Sequence, residues 1–229
     1  MRRVDEQGAG RLISPGSFIG HAERSGKIML IDRWVFGACI ERLAQTQSSV
    51  RIAANLSARS LEDGSFPNFL RDLLQRHDVD PRRLHIELTE TSAISDPLAA
   101  RQVIANLGAL GCAVHLDDFG SGFSSFSQLK LLDVDAIKID GSFVRALPAD
   151  ESNRPFVAAM IQIAHNLKMQ TVAEHVEDAA TLDILLSLGV DLVQGFHVGR
   201  PGPLMIETEA VPLLQVVGPS RRDAAIGSR

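Results

Sequence analysis

The chain has 229 residues, 45% of them hydrophobic and 22% charged, with a formal net charge of −5 and a pI near 5.8. This is the composition of one ordinary globular core, and the lack of a dominant basic face excludes a protein that coats nucleic acid. Residues 1–12 are polar and Arg-bearing with no apolar stretch, so no signal peptide is expected, and no apolar run approaches bilayer length, so no membrane segment is expected either.

The first fifty residues read as helix, with no strand ahead of them. Ser14 followed by Pro15 marks a helix start, Phe18, Ile19 and Ala22 form its apolar stripe, and Gly26 stops it. A second helix from Ile28 is predicted to present Ile31, Trp34, Val35, Ala38 and Cys39 on one face. Beyond residue 50 the pattern alternates. Strands are predicted at Val50–Asn55, Leu84–Glu90, Cys112–Asp117, Ala136–Asp140, Thr171–Glu174 and Leu192–Gly195. Helices are predicted between them, at Phe66–Arg76, Leu98–Leu110, Arg154–Leu167 and Ala179–Leu188. Such alternation means a parallel sheet with helices packed on it. The strand ends recur about every 28 residues, near the roughly 30 per unit of an eight-fold barrel. The expected fold is therefore α/β, a TIM-like (β/α)8 barrel with six units visible. Residues 1–217 are expected to form a single domain, with a disordered tail from Gly218. Cys39 and Cys112 both sit in apolar patterns and are expected to be buried reduced thiols, which suits the cytoplasm.

Chemistry in such barrels sits at the C-terminal strand ends. Those ends carry Asn55, Glu87 with Glu90, Asp117 with Asp118, Lys138 with Asp140, Glu174 with Glu177, and Gln194. Taken singly, each has a plain reading: an Asp-Asp pair caps a helix, a Lys-Ile-Asp is a solvated strand end, and two early glutamates favour a helix dipole. On successive strand ends together, these carboxylates would repel one another unless cations separated them. Oxygen donors without His or Cys select Mg2+ or Mn2+ over zinc. Adjacent Asp117 and Asp118 suit a shared pair of metals, a recurring device for cleaving phosphodiesters.

Three look-alikes fail on context. Gly120-Ser121-Gly122 has no following lysine in P-loop spacing. Asp118-Phe119-Gly120 lacks the other protein-kinase motifs. His77-Asp78 has no partner histidines at ligand spacing.

Several segments, in order, resemble the signature series of EAL domains. They are Asn55-Leu56-Ser57, Glu87-Leu88-Thr89-Glu90, the run from Asp117 to Ser125, Lys138-Ile139-Asp140, Ala173-Glu174-His175-Val176-Glu177 and Gln194-Gly195-Phe196. The resemblance extends over about residues 10–204, from Ile13-Ser14-Pro15 to Gly199-Arg200-Pro201. It implies a bacterial signalling barrel that hydrolyses cyclic di-GMP to linear pGpG with Mg2+ or Mn2+. Carried over by motif, Asn55, Glu87, Asp117, Asp118 and Glu174 are implied metal ligands, with Asp117 bridging. Lys138 is implied to hold the attacking water, with Glu177 and Gln194 completing the network around it. Glu90 is implied to anchor the Asp118–Ser125 loop, and Ser57, Asp140 and Pro201 to contact substrate. A homodimer, and fusion or association with sensor or GGDEF-type domains, are implied as well. Two departures stand out. The Glu-Ala-Leu motif that names the family, with its metal-binding glutamate, is missing, so the first strands are expected to lie ahead of Met1; and His175 stands where many members have glycine. The alternative reading is an inactive cyclic di-GMP receptor or interaction module. A third is a barrel enzyme acting on another phosphoester.

Overall fold

The computed structural model describes residues 2–4, 10–47, 49–122, 129–200 and 215–216. Pro201, residues 123–125 of the Asp118–Ser125 loop and the tail from Gly218 lie outside them. The chain divides into two compact units, Met1–Leu88 with Leu98–Ala113, and Thr89–Pro97 with Val114–Arg229.

The first unit opens with an antiparallel hairpin, β1 (Arg2–Val4) and β2 (Gly10–Leu12), pairing Arg2 with Leu12. This corrects the expectation of helix alone, because three-residue strands are too short for a two-residue alternation to show. The predicted start at Ser14 and Pro15 is a 3-10 turn over Pro15–Ser17, after which α1 (Ile19–Arg24) follows. Gly26 then takes a left-handed φ of +72°, which breaks the chain direction before α2 (Ile28–Ala44).

The buried face of α2 is Ile28, Asp32, Phe36, Ile40 and Leu43, not the stripe through Trp34. Trp34 is 72% exposed and Leu30 69%. The sequence misled because α2 is apolar nearly all round and its true inner face carries an acid. Buried Asp32 is satisfied locally, as its Oδ2 accepts hydrogen bonds from both the Ser57 N–H and hydroxyl. Phe36 meets Phe66 edge to face, with ring centres 5.2 Å apart. Cys112 is buried and its thiol is pushed up to about 12, but Cys39 is only half-buried, a correction to the expectation for that residue.

Next come β3 (Ile52–Asn55), α3 (Ala58–Leu61), α4 (Phe66–Arg76) and β4 (Leu84–Thr89). The strands β3 and β4 are parallel and place Asn55 beside Glu87. Arg83 ties the entry to β4 down, donating to the carbonyls of Val50 and Gln47 at 2.9 and 2.6 Å.

The second unit begins with α5 (Glu90–Ser95), capped by the Thr89 hydroxyl, while α6 (Pro97–Leu110) belongs mainly to the first. It continues with β5 (Ala113–Phe119), β6 (Ala136–Ile139), α7 (Gly141–Arg145), α8 (Asn153–Asn166), β7 (Gln170–Ala173), α9 (Ala179–Leu188) and β8 (Leu192–Val193). From β5 to β8 each strand is parallel to the next, and a short β9 (Gln215–Val216) adds antiparallel to β8. Ala136, Val172 and Leu192, one from each of three strands, form a buried cluster. Every strand of β3–β8 and the helices α4, α6, α8 and α9 fall within a few residues of their predicted bounds. The short helices α3, α5 and α7 were not predicted, since single turns leave no apolar period.

Candidate active site

In β5 the register against β6 slips. Leu116 pairs with Ile137 and Phe119 with Ile139, so Asp117 and Asp118 together oppose the single residue Lys138. Such a bulge breaks the alternation that would send neighbouring side chains to opposite faces. Asp118 takes a φ of +56°, a left-handed conformation that aspartate tolerates better than most residues. The outcome is chemical. Asp117, Asp118 and Glu174 each offer a carboxylate oxygen, and the three oxygens lie within 4.8 Å of one another.

Lys138, buried on β6, stands among them. Its Nζ lies 2.8 Å from Asp117 Oδ1 and 2.8 Å from Glu174 Oε1. Three carboxylates against one ammonium leave two negative charges in excess. Burial, followed by repulsion from Asp117 and Asp140, holds the Asp118 carboxyl above its ordinary value. Burial likewise raises Glu174, although Lys138 opposes the shift. An all-oxygen donor set with uncompensated charge fits a hard divalent cation, and the residues present could hold one.

Glu90 is the first residue of α5 and is buried; its Oε2 accepts a hydrogen bond from the Gly120 N–H at 3.0 Å, and its Oε1 has no partner among the described residues. Asp140 caps α7 by accepting from the Ser142 N–H at 2.9 Å. Burial alone would raise the Asp140 carboxyl, but the hydrogen bonds from Ser142 hold it below its usual range. Ser57 caps α3, and its hydroxyl donates to Asp32. Asn55 is exposed and Glu87 buried, side by side at the β3–β4 end.

Beyond β7 and β8, a pocket of 110 Å3 is lined by Glu174, His175, Glu177, Gln194, Gly195 and Phe196. Glu177 and Gln194 are exposed to it, Gln194 following the last residue of β8. Gly195 allows the chain to pass close to Val176: a β-carbon there would lie 2.2 Å from the Val176 carbonyl oxygen. The sequence marked His175 as a departure from the family pattern without giving it a role, and gave Phe196 none. For Phe196, the position immediately after a predicted strand end was the available signal.

The EAL domain family model matches residues 1–201 of this sequence. The chain belongs to the EAL domain family. The cyclic di-GMP phosphodiesterase PdeF of Escherichia coli (strain K12) is 36% identical over 197 residues, 85% of this chain and 26% of PdeF. The bifunctional diguanylate cyclase/cyclic di-GMP phosphodiesterase MucR of Pseudomonas aeruginosa is 36% identical over 196 residues, 84% of this chain and 29% of MucR. This EAL domain thus spans between a quarter and a third of the length of these relatives. Among solved structures, the MucR phosphodiesterase in complex with c-di-GMP superposes with a TM-score of 0.80 at 33% identity, covering 88% of this chain and 83% of that one. The FimX EAL domain from Pseudomonas aeruginosa bound to c-di-GMP gives 0.80 at 30% identity, covering 87% and 81%. The fold class is therefore the TIM-like α/β fold of EAL domains. No helix among the described residues is long and apolar enough to cross a membrane.

Proposed function

We propose that this EAL domain hydrolyses cyclic di-GMP to linear pGpG. The observation that carries the reading is Lys138 held between Asp117 and Glu174 beside Asp118, an arrangement with no structural need for so many buried charges. Asp117, Asp118 and Glu174 would hold the divalent ion, Mg2+ or Mn2+. On the family pattern alone, Asn55 and Glu87 are proposed as further ligands. Such an ion, when bound, supplies Lewis acidity toward phosphoryl oxygens.

The chain's own residues do the rest. Lys138, fixed by two carboxylates, holds a water by donating a hydrogen bond to its oxygen. Glu177 and Gln194, facing the adjacent pocket, orient that water and the ligand. Water adds to phosphorus, the bond from phosphorus to one 3′ oxygen breaks, and the proton passes to the leaving oxygen. Ser57, Asp140 and Pro201 are proposed substrate contacts, the first two through atoms not already committed to their caps. Glu90 couples the ligand-bearing bulge to α5 through Gly120. A homodimer is proposed on the family pattern alone, and association with GGDEF-type or sensor domains from the greater length of the relatives. Two free thiols suit a cytoplasmic setting.

The test is turnover of cyclic di-GMP by the purified chain with Mg2+ or Mn2+, read as linear pGpG, beside Lys138→Ala. Turnover abolished in the variant is the expected result. Binding without turnover would instead support a receptor, and neither would sink both readings.

A further inference from the structure

We propose that His175 is a ligand-binding contact, donating an imidazole N–H to a phosphodiester oxygen of the bound dinucleotide. The inference rests on the reading of the site as one for cyclic di-GMP, and adds a residue to it. His175 follows Glu174 at the end of β7 and takes a φ of +54°. That conformation costs a side-chain-bearing residue free energy that glycine would not lose. The side chain is exposed, and no hydrogen bond from the described residues holds the imidazole.

The ring is nevertheless placed. It lies against Gly141, the first residue of α7, so closely that a β-carbon added there would sit 2.2 Å from His175 Cδ2 and 2.7 Å from Cγ. Gly141 thus serves as a seat: any larger residue would push the ring away. Seated there, His175 spans the ends of β6 and β7 and forms part of the wall of the pocket it shares with Glu177, Gln194 and Phe196. The pocket wall otherwise offers two glutamates, an amide and an aromatic ring. An anionic ligand entering it needs a donor, and the imidazole joins the Gln194 amide in supplying one.

A left-handed residue whose ring makes no hydrogen bond among the described residues, fixed at the edge of a pocket by a matched glycine, is an arrangement suited to ligand contact rather than to stability. A left-handed strand end could instead have been filled by glycine at no steric cost. The selection of histidine therefore points to the ring itself.

The test compares the wild-type chain with His175→Gly and His175→Asn. Steady-state kinetics with Mg2+ or Mn2+ and titration with cyclic di-GMP in EDTA, where turnover is blocked, are measured for each. His175→Gly is expected to keep a melting temperature at or above wild type, since the left-handed backbone suits it. Its KM and dissociation constant should rise about 5- to 50-fold, with kcat within threefold. Asn, which tolerates the same backbone and keeps an N–H donor, should recover part of the loss. KM and affinity within twofold of wild type in a folded glycine variant would overturn the proposal. So would a fall in kcat with KM and affinity unchanged. If the wild-type chain neither binds nor hydrolyses the dinucleotide, the site reading itself fails and this inference with it.

Discussion

The two ends of the parallel strands in the second unit use the same residue type in opposite ways. At the N-terminal ends, Asp135 and Asp191 are spent on the backbone. Asp135 Oδ2 accepts from the Val114 N–H at 2.9 Å. Asp191 Oδ2 accepts from the Thr171 N–H and hydroxyl, each at 2.8 Å, and lies 2.8 Å from His165 Nε2. At the C-terminal ends, Asp117, Asp118 and Glu174 face one another and a single lysine. An acid whose lone pairs are filled by N–H donors staples strands together. Acids left facing each other raise the free energy of the fold and keep their affinity for a cation. The same charge stabilises one end and is held in reserve at the other, as the division of labour in β/α barrels would have it.

The largest expected effect separates the ends by activity. Lys138→Ala should lower kcat for cyclic di-GMP at least ~100-fold, the scale on which positioned proton-handling groups act. Initial rates of pGpG formation read it, and a variant retaining a tenth of wild-type rate would break the assignment. At the opposite end, Asp191→Ala should cost about 3 kcal/mol of stability, because several hydrogen bonds to a charged acceptor go at once. Chemical denaturation measures the loss, and kcat/KM of the folded enzyme should stay within twofold. A large kinetic effect there would erase the distinction.

The smallest effect has the more telling sign. Asp118 is held above its ordinary pKa, so the folded chain binds its proton more readily than the unfolded chain does. The stability it contributes is therefore full at pH below the ordinary carboxylate range and is lost as pH rises through the raised pKa. Metal-free Asp118→Asn should be more stable than wild type at neutral pH, by less than about 1 kcal/mol because solvent screens part of the repulsion. Its stability should also change less with pH than that of the wild type. Asparagine accepts the left-handed backbone, so the comparison is of charge alone. Metal affinity, titrated with Mn2+, should fall at least ~10-fold. A destabilised variant would show that the carboxylates are not in strained opposition.

By itself the sequence determined the βα alternation, the family and most of the chemical groups at the strand ends. Alternation is a local signal: an apolar strand of four to seven residues and an amphipathic helix each declare their period within their own span. Motif order did the same for Asp117, Asp118, Lys138 and Glu174. Local signal failed in α2, where an apolar surface all round concealed that the inner face runs through Asp32, a choice made only by Ser57 arriving to satisfy the carboxylate. Only the tertiary structure decided that Asp117 and Asp118 oppose one residue of β6, because a bulge is a relation between two strands and leaves no mark in either alone. It also decided that His175 rests on Gly141, 34 residues earlier in the chain. Which acids become staples and which become a site depends on what reaches their lone pairs, and that is settled by packing at a distance along the chain.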